Sequence, residues 1–125
     1  MRQAMKRPGP AHPISIAPNR NRIRVLLGGV IVAETTRALT LKEGALPAVQ
    51  YIPREDVMLD LLERSSHSTQ CPYKGNASYW DVTAGGLRAR NAAWSYEKPS
   101  AAVRDIAGRL AFYPDKVDAI EELRD

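Results

Sequence analysis

The stretch Ile23-Arg24-Val25-Leu26-Leu27-Gly28-Gly29-Val30-Ile31-Val32-Ala33 decides the fold class. Ile23, Val25 and Leu27 recur at spacing two, the period at which a strand shows one face to a core. Gly28-Gly29 then supplies the positive φ that a two-residue primed turn demands without a Cβ clash, and β-branched residues resume after it. The pattern returns where Tyr79-Trp80-Asp81-Val82-Thr83 meets Gly85-Gly86 and continues as Leu87-Arg88-Ala89-Arg90. Two such turns predict antiparallel sheet.

Outward from these hairpins, Ile14-Ser15-Ile16 alternates as a short strand does. Ala38 to Lys42, Val49 to Ile52, Ala93 to Tyr96 and Leu110 to Tyr113 are further strand candidates, punctuated by Pro47, Pro53, Pro99 and Pro114. The expectation is a mainly β, small single-domain fold, a twisted antiparallel sheet or a barrel-like one, with short helical segments. Residues 53–63 fit either a helix, through the i,i+4 spacing of Val57, Met58, Leu61 and Leu62, or a turn leading into a strand. At the other end, Val117, Ile120 and Leu123 form an apolar stripe. With Asp118, Glu121 and Glu122 facing away and Asp115 as a cap, this predicts a C-terminal helix.

The chain has 125 residues, 44% of them hydrophobic, enough for one core without covalent staples. Cys71 is the single cysteine and forms no internal disulfide. No apolar run approaches the roughly 20 residues of a membrane span. Residues 1–13 lack the apolar stretch of a signal peptide, so they read as a flexible basic tail before a domain over residues 14–125. The expected location is cytoplasmic, with no membrane contact. The net charge of +4 is local: residues 1–24 hold six basic side chains and no acidic one, whereas residues 25–125 hold twelve basic and fourteen acidic. A mixed-sign body lacks the extended basic face that phosphate neutralisation favours, so nucleic acid is not an expected partner. No cofactor fingerprint and no signature of an oligomeric state are legible.

Chemically versatile side chains gather from His67 to Trp80, a run that holds His67, Cys71, Tyr73, Lys74 and Tyr79. A thiol becomes nucleophilic when a neighbouring His or cation lowers its pKa, and Cys71 has His67 and Lys74 close in sequence; the alternative is a plain packed thiol. His67 and Cys71 are too few for the four ligands of a structural zinc, and no metal is expected. Lys74-Gly75-Asn76-Ala77 sets a cation beside a glycine turn whose N–H groups suit an anion, without the P-loop or dinucleotide spacing; otherwise it is simply a turn. In Tyr51-Ile52-Pro53-Arg54-Glu55-Asp56-Val57, Arg54 suits a carboxylate or phosphate and Glu55 suits a base, against the alternative of a capped helix start. Trp80, Trp94 and Tyr96 serve either as pocket walls or as core.

These blocks also carry a resemblance. Tyr51 to Val57, His67 through Cys71-Pro72-Tyr73-Lys74-Gly75 with Ala77-x-Tyr79, Ala93-Trp94-x-Tyr96, Ile106-Ala107-Gly108 and Ala111-Phe112-Tyr113 resemble the pattern of the domain of unknown function 427 family. The match covers roughly Ile14 to Leu123. The resemblance implies a compact, mostly β domain with small helical pieces and a twisted or barrel-like sheet, and it implies a short helical turn followed by a strand over residues 53–63. The family is sometimes labelled nucleotidyltransferase. The Gly-Ser motif and paired aspartates usual in such enzymes are not found here: Asp56 with Asp60, and Asp115 with Asp118, lack the Asp-x-Asp spacing. No catalytic residue of that class carries over.

Three functional readings follow from the residues. In the first, a small anionic or nucleotide-like ligand sits in a pocket formed by residues 51–57 and 67–80, with Arg54 and Lys74 on the anion and Tyr73 and Tyr79 on the wall. In the second, an enzyme of nucleotidyltransferase or other type uses that pocket, with His67, Cys71 or Glu55 as acid, base or nucleophile. In the third, the chain is an interaction module. Residues 115–125 hold five acidic and two basic side chains, which favours a basic partner such as the protein's own N-terminal arm.

Overall fold

The computed structural model describes residues 6–124. Its strands are β1 (Ile14–Asn19), β2 (Arg22–Leu27), β3 (Val30–Thr35), β4 (Ala38–Glu43), β5 (Val49–Tyr51), β6 (Leu62–Cys71), β7 (Gly75–Ala84), β8 (Leu87–Ser95), β9 (Ala111–Phe112) and β10 (Ala119–Leu123). They form three antiparallel sheets with orders β1-β4-β5, β10-β2-β3 and β6-β7-β8-β9. Among the described residues, no helix is long and apolar enough to cross a membrane. Met1 to Met5 of the tail expected over residues 1–13 lie outside the described residues, as does Asp125.

Both Gly-Gly hairpins form, joining β2 to β3 and β7 to β8. All four turn glycines have positive φ, between 56 and 79°. The two turns also pack tip to tip: a Cβ built on Gly85 would lie 2.0 Å from the Gly28 carbonyl oxygen. Residues 53–63 take the turn-then-strand form, with short 3-10 turns at Arg54–Asp56 and Leu59–Leu61 leading into β6. The segments Leu87 to Arg90 and Ala93 to Tyr96 belong largely to one strand, β8, interrupted by Asn91 at φ 50°.

Two expectations are corrected. The C-terminal helix is a strand: β10 pairs with β2 in the register Ile120↔Val25 and Glu121↔Arg24. The second edge of β2 needs a hydrogen-bonding partner, and the acidic C-terminus meets its basic side chains there, which outweighs the local helical spacing. Asp118, expected on the polar face of the helix, instead accepts a hydrogen bond from Gly28 N at 2.7 Å. The barrel does not close. Closure would run from β5 to β9, but their only ladder link is the isolated bridge Ile52↔Leu110. Pro53 and Pro114 follow these short segments with no N–H to extend the pairing.

The core divides in two. Ile23, Val25, Leu27, Val32, Trp80, Val82 and Phe112 belong to one buried cluster. Leu41, Tyr51, Ala77, Tyr79, Trp94, Tyr96, Val103 and Ile106 belong to the other. Trp80 and Tyr79 are neighbours on β7 yet serve different clusters, as expected where successive side chains leave a strand on opposite faces. The central sheet is therefore packed on both faces.

Candidate functional site

A cavity of about 690 Å³ lies where the two clusters meet. Ile23, Val25, Ile52 and Phe112 from the first cluster and Leu41, Tyr51, Tyr79, Trp94 and Tyr96 from the second supply its walls. Leu46, Pro47, Ala48, Pro114 and Glu122 also line it and are exposed, so they form its rim. The incomplete junction between β5 and β9 is what leaves this space. Short, proline-stopped strands frame a gap that a continuous ladder would have closed.

The polar groups of the cavity are few and already organised. Glu43, 9% exposed at the end of β4, bonds to Lys74 Nζ, and His12 Nε2 donates to its other oxygen at 2.6 Å. Burial pushes this carboxyl up, but the bonds from Lys74 and His12 outweigh it and hold the group below the ordinary carboxylate value. Lys74 Nζ also stands 5.9 Å from the centre of the Tyr96 ring. Residues ahead of β1 brace this end of the site. His12 stacks on Tyr73 with ring centres 3.6 Å apart, and Lys6 N donates to Pro72 O at 2.6 Å.

Four phenols, the Gln50 carboxamide and the Glu122 carboxylate at the rim complete the polar lining. Trp94 Nε1 donates to Tyr51 Oη at 3.3 Å. Tyr79 Oη shares hydrogen bonds with Thr69 Oγ1 at 2.8 Å and with Tyr113 Oη at 3.3 Å. Burial raises the phenols of Tyr51, Tyr96 and Tyr113 well above their ordinary value. These groups stay protonated and uncharged, able to donate or accept one bond each.

The residues singled out from the sequence separate in space. Of residues 51–57 only Tyr51 and Ile52 line the cavity, and of residues 67–80 only Lys74 and Tyr79. Arg54 instead ties the fold: its Nε donates to Gly108 O at 2.6 Å, its guanidinium lies 5.2 Å from the Trp80 ring centre, and it pairs with Glu97 at 3.3 Å. Glu55 is exposed and pairs with Arg37 at 3.3 Å. Tyr73 lies under His12, and Cys71 is half-buried against the edge of the second cluster. His67 and Cys71 sit on one strand, β6, and not on a helix. Among the described residues, no three His, Cys, Asp or Glu side chains gather closely enough to hold a metal ion.

His67 belongs to a different place, a polar depression of about 310 Å³ that it shares with Ser65, Ser66, Asp81, Arg88, Arg90 and Asn91. Its ring meets that of Tyr79 at 4.5 Å between centres, so a residue of the depression touches a residue of the cavity wall. Sequence reasoning passed over Glu43, Tyr113, Arg88 and Arg90. The signal for the arginines was present: spacing two on a strand places Arg88 and Arg90 on one face. For Glu43 there was none, because its partners His12 and Lys74 are each 31 residues away.

The model of the family described as a domain of unknown function, DUF427, with the label NTP_transf_9, matches residues 15–123. No curated protein matches this chain.

Proposed function

The chain belongs to the domain of unknown function 427 family, and from the geometry of its cavity we propose that it binds a small, mostly apolar molecule carrying one or two uncharged polar groups. The observation that supports this reading is the cavity of about 690 Å³ with aliphatic and aromatic walls and phenol hydroxyls. Its size falls within the range of small-molecule sites, about 300–1,000 Å³, and so does its mix of apolar surface with a few fixed polar groups. Hydroxyl, carbonyl or ether oxygens suit the phenols, which meet them as neutral hydrogen-bonding groups. A nucleotide or other anion suits the site less well. The one cation on the wall, Lys74, is already bonded to Glu43, and an anion entering there would have to separate a half-desolvated pair. The reading is one of binding, and no residue of the cavity is assigned a chemical step.

The test is titration with N-phenyl-1-naphthylamine, an uncharged fluorophore of suitable size, against the wild-type chain and Val49→Trp. Val49 lines the cavity from β5, and the larger ring fills it. The expected result is saturable enhancement of probe emission for the wild type and affinity weaker by at least about tenfold for the variant. Equal affinities would place the probe elsewhere and overturn the reading. Displacement of the probe by AMP at constant ionic strength, with or without magnesium, would overturn the preference for an uncharged ligand and restore the nucleotide.

A further inference from the structure

β7 is flanked on both sides by irregular pairing at nearly the same level. On one side the register passes from Arg64↔Trp80 to Ser68↔Ser78, so Ser65, Ser66 and His67 face the single residue Tyr79. On the other it passes from Trp80↔Ala93 to Val82↔Ala89, so Arg90, Asn91 and Ala92 face the single residue Asp81. Bulges of this kind give up ladder hydrogen bonds and re-aim side chains. Here both supply side chains to the one depression lined by Ser65, Ser66, His67, Asp81, Arg88, Arg90 and Asn91. Asn91 is also the only non-glycine residue with positive φ among those described, at 50°. Backbone in that region persists only where its surroundings hold it.

The charges in the depression are arranged so that its one carboxylate is satisfied while Arg90 makes no hydrogen bond or ion pair among the described residues. Asp81, 9% exposed, accepts from Arg88 at 2.8 Å on one oxygen and from Asn91 N at 2.8 Å on the other. It anchors Arg88 while leaving most of that guanidinium's N–H groups available. Arg90 and the His67 ring nitrogens make no hydrogen bond or ion pair among the described residues, and both side chains are exposed. The Ser66 hydroxyl stands beside them, while the Ser65 hydroxyl donates to Asn91 Oδ1 at 2.6 Å and accepts from His67 N at 3.2 Å. Asp81, Arg88 and Arg90 together carry a net positive charge, and Glu63, opposite Asp81 on β6, lies near enough to Arg88 to interact with it.

We propose that this depression is a binding site for a phosphoryl group, held by Arg88, Arg90 and His67 with the Ser66 hydroxyl. Guanidinium forks match the geometry of a tetrahedral oxyanion, and two bulges next to each other bring these side chains to one point. The source is inorganic phosphate or the phosphate of a monoester, which share this chemistry. The proposal goes beyond the cavity reading and does not rest on it.

The test is a nuclear magnetic resonance titration of the 15N-labelled full chain with inorganic phosphate, and in parallel with methyl phosphate, with sodium chloride holding the ionic strength constant. The expected result is saturable shifts centred on Ser65 to His67 and Arg90 to Asn91. A stronger response to methyl phosphate identifies the ester, and a stronger response to inorganic phosphate identifies the free ion. Arg90→Gln, which removes a side chain without a partner, weakens binding by about tenfold. Ser66→Asp, which adds a like charge at an exposed position, weakens it by at least as much, and Val49→Trp leaves it unchanged. Non-saturable shifts, or affinity retained in both Arg90→Gln and Ser66→Asp, overturn the proposal.

Discussion

Glu43 places one buried carboxylate between two hydrogen-bonding partners, Lys74 and His12, and so ties β4 to the β6–β7 turn and to the residues ahead of β1. Removing one member of the Glu43–Lys74 pair leaves the other buried charge poorly compensated, at a cost of about 3 kcal/mol, whereas replacing both with apolar groups is far gentler. Lys74→Met and Glu43→Leu are each expected to lower the urea midpoint sharply, and the double variant is expected to be more stable than either. A double-mutant cycle that shows additive losses would refute this. The pair also sets a pH dependence. The folded carboxyl of Glu43 lies below its ordinary value of 4.5, so the unfolded chain takes up the proton first. The stabilisation is fully present above that value and is lost as the pH falls through the depressed folded value. The stability difference between wild type and Glu43→Gln should therefore shrink between about pH 7 and about pH 3. None of this was legible in the sequence, because side chains separated by tens of residues meet only once the sheets are in place. Arg54 illustrates the converse. Its residue type and neighbours suggested an anion site, but its bonds to Gly108 and Glu97 and its place over Trp80 are structural.

The hairpins were the most legible elements because their signal is entirely local: alternation on either side of a residue pair able to take positive φ. The sequence did not show that the two turns would press against each other. Gly28 and Gly85 combine positive φ with backbone contact, since a Cβ on Gly28 would come within 2.5 Å of the Ala84 carbonyl oxygen. Gly29 and Gly86 have the same sign of φ but open space around them. Gly85→Ala is therefore expected to cost upwards of about 2 kcal/mol, and Gly86→Ala only about 1 kcal/mol, from backbone preference alone. Equal losses in thermal unfolding would show that the tips do not bear on each other. The C-terminal segment was misread for the opposite reason. Its apolar residues at spacing three satisfy a helix taken alone, and its strand conformation depends on the edge of β2, nearly a hundred residues earlier. The charge of the segment was the better guide, since Glu121 stands opposite Arg24 on β2.

At the scale of the molecule, the cavity must be reconciled with the modest stability of a small domain. A closed, dry void of about 690 Å³ would cost about 17 kcal/mol at ~24 cal/mol per Å³. That exceeds the whole stability of a typical domain, about 5–15 kcal/mol. The space is therefore in exchange with solvent through its exposed rim, and the apolar side chains of Leu46, Val49 and Ile120 meet water whenever no ligand covers them. Such a site is held for a purpose other than stability, and filling it should trade binding for stability. Val49→Trp, expected to abolish probe binding, is also expected to raise the melting temperature by a few degrees, equivalent to about 1 kcal/mol. A calorimetric scan of the two proteins at one pH and ionic strength measures the shift. A drop of several degrees instead would mean that the ring finds no room and collides with packed side chains. In that case the walls already touch, and the cavity is not the binding site of this fold.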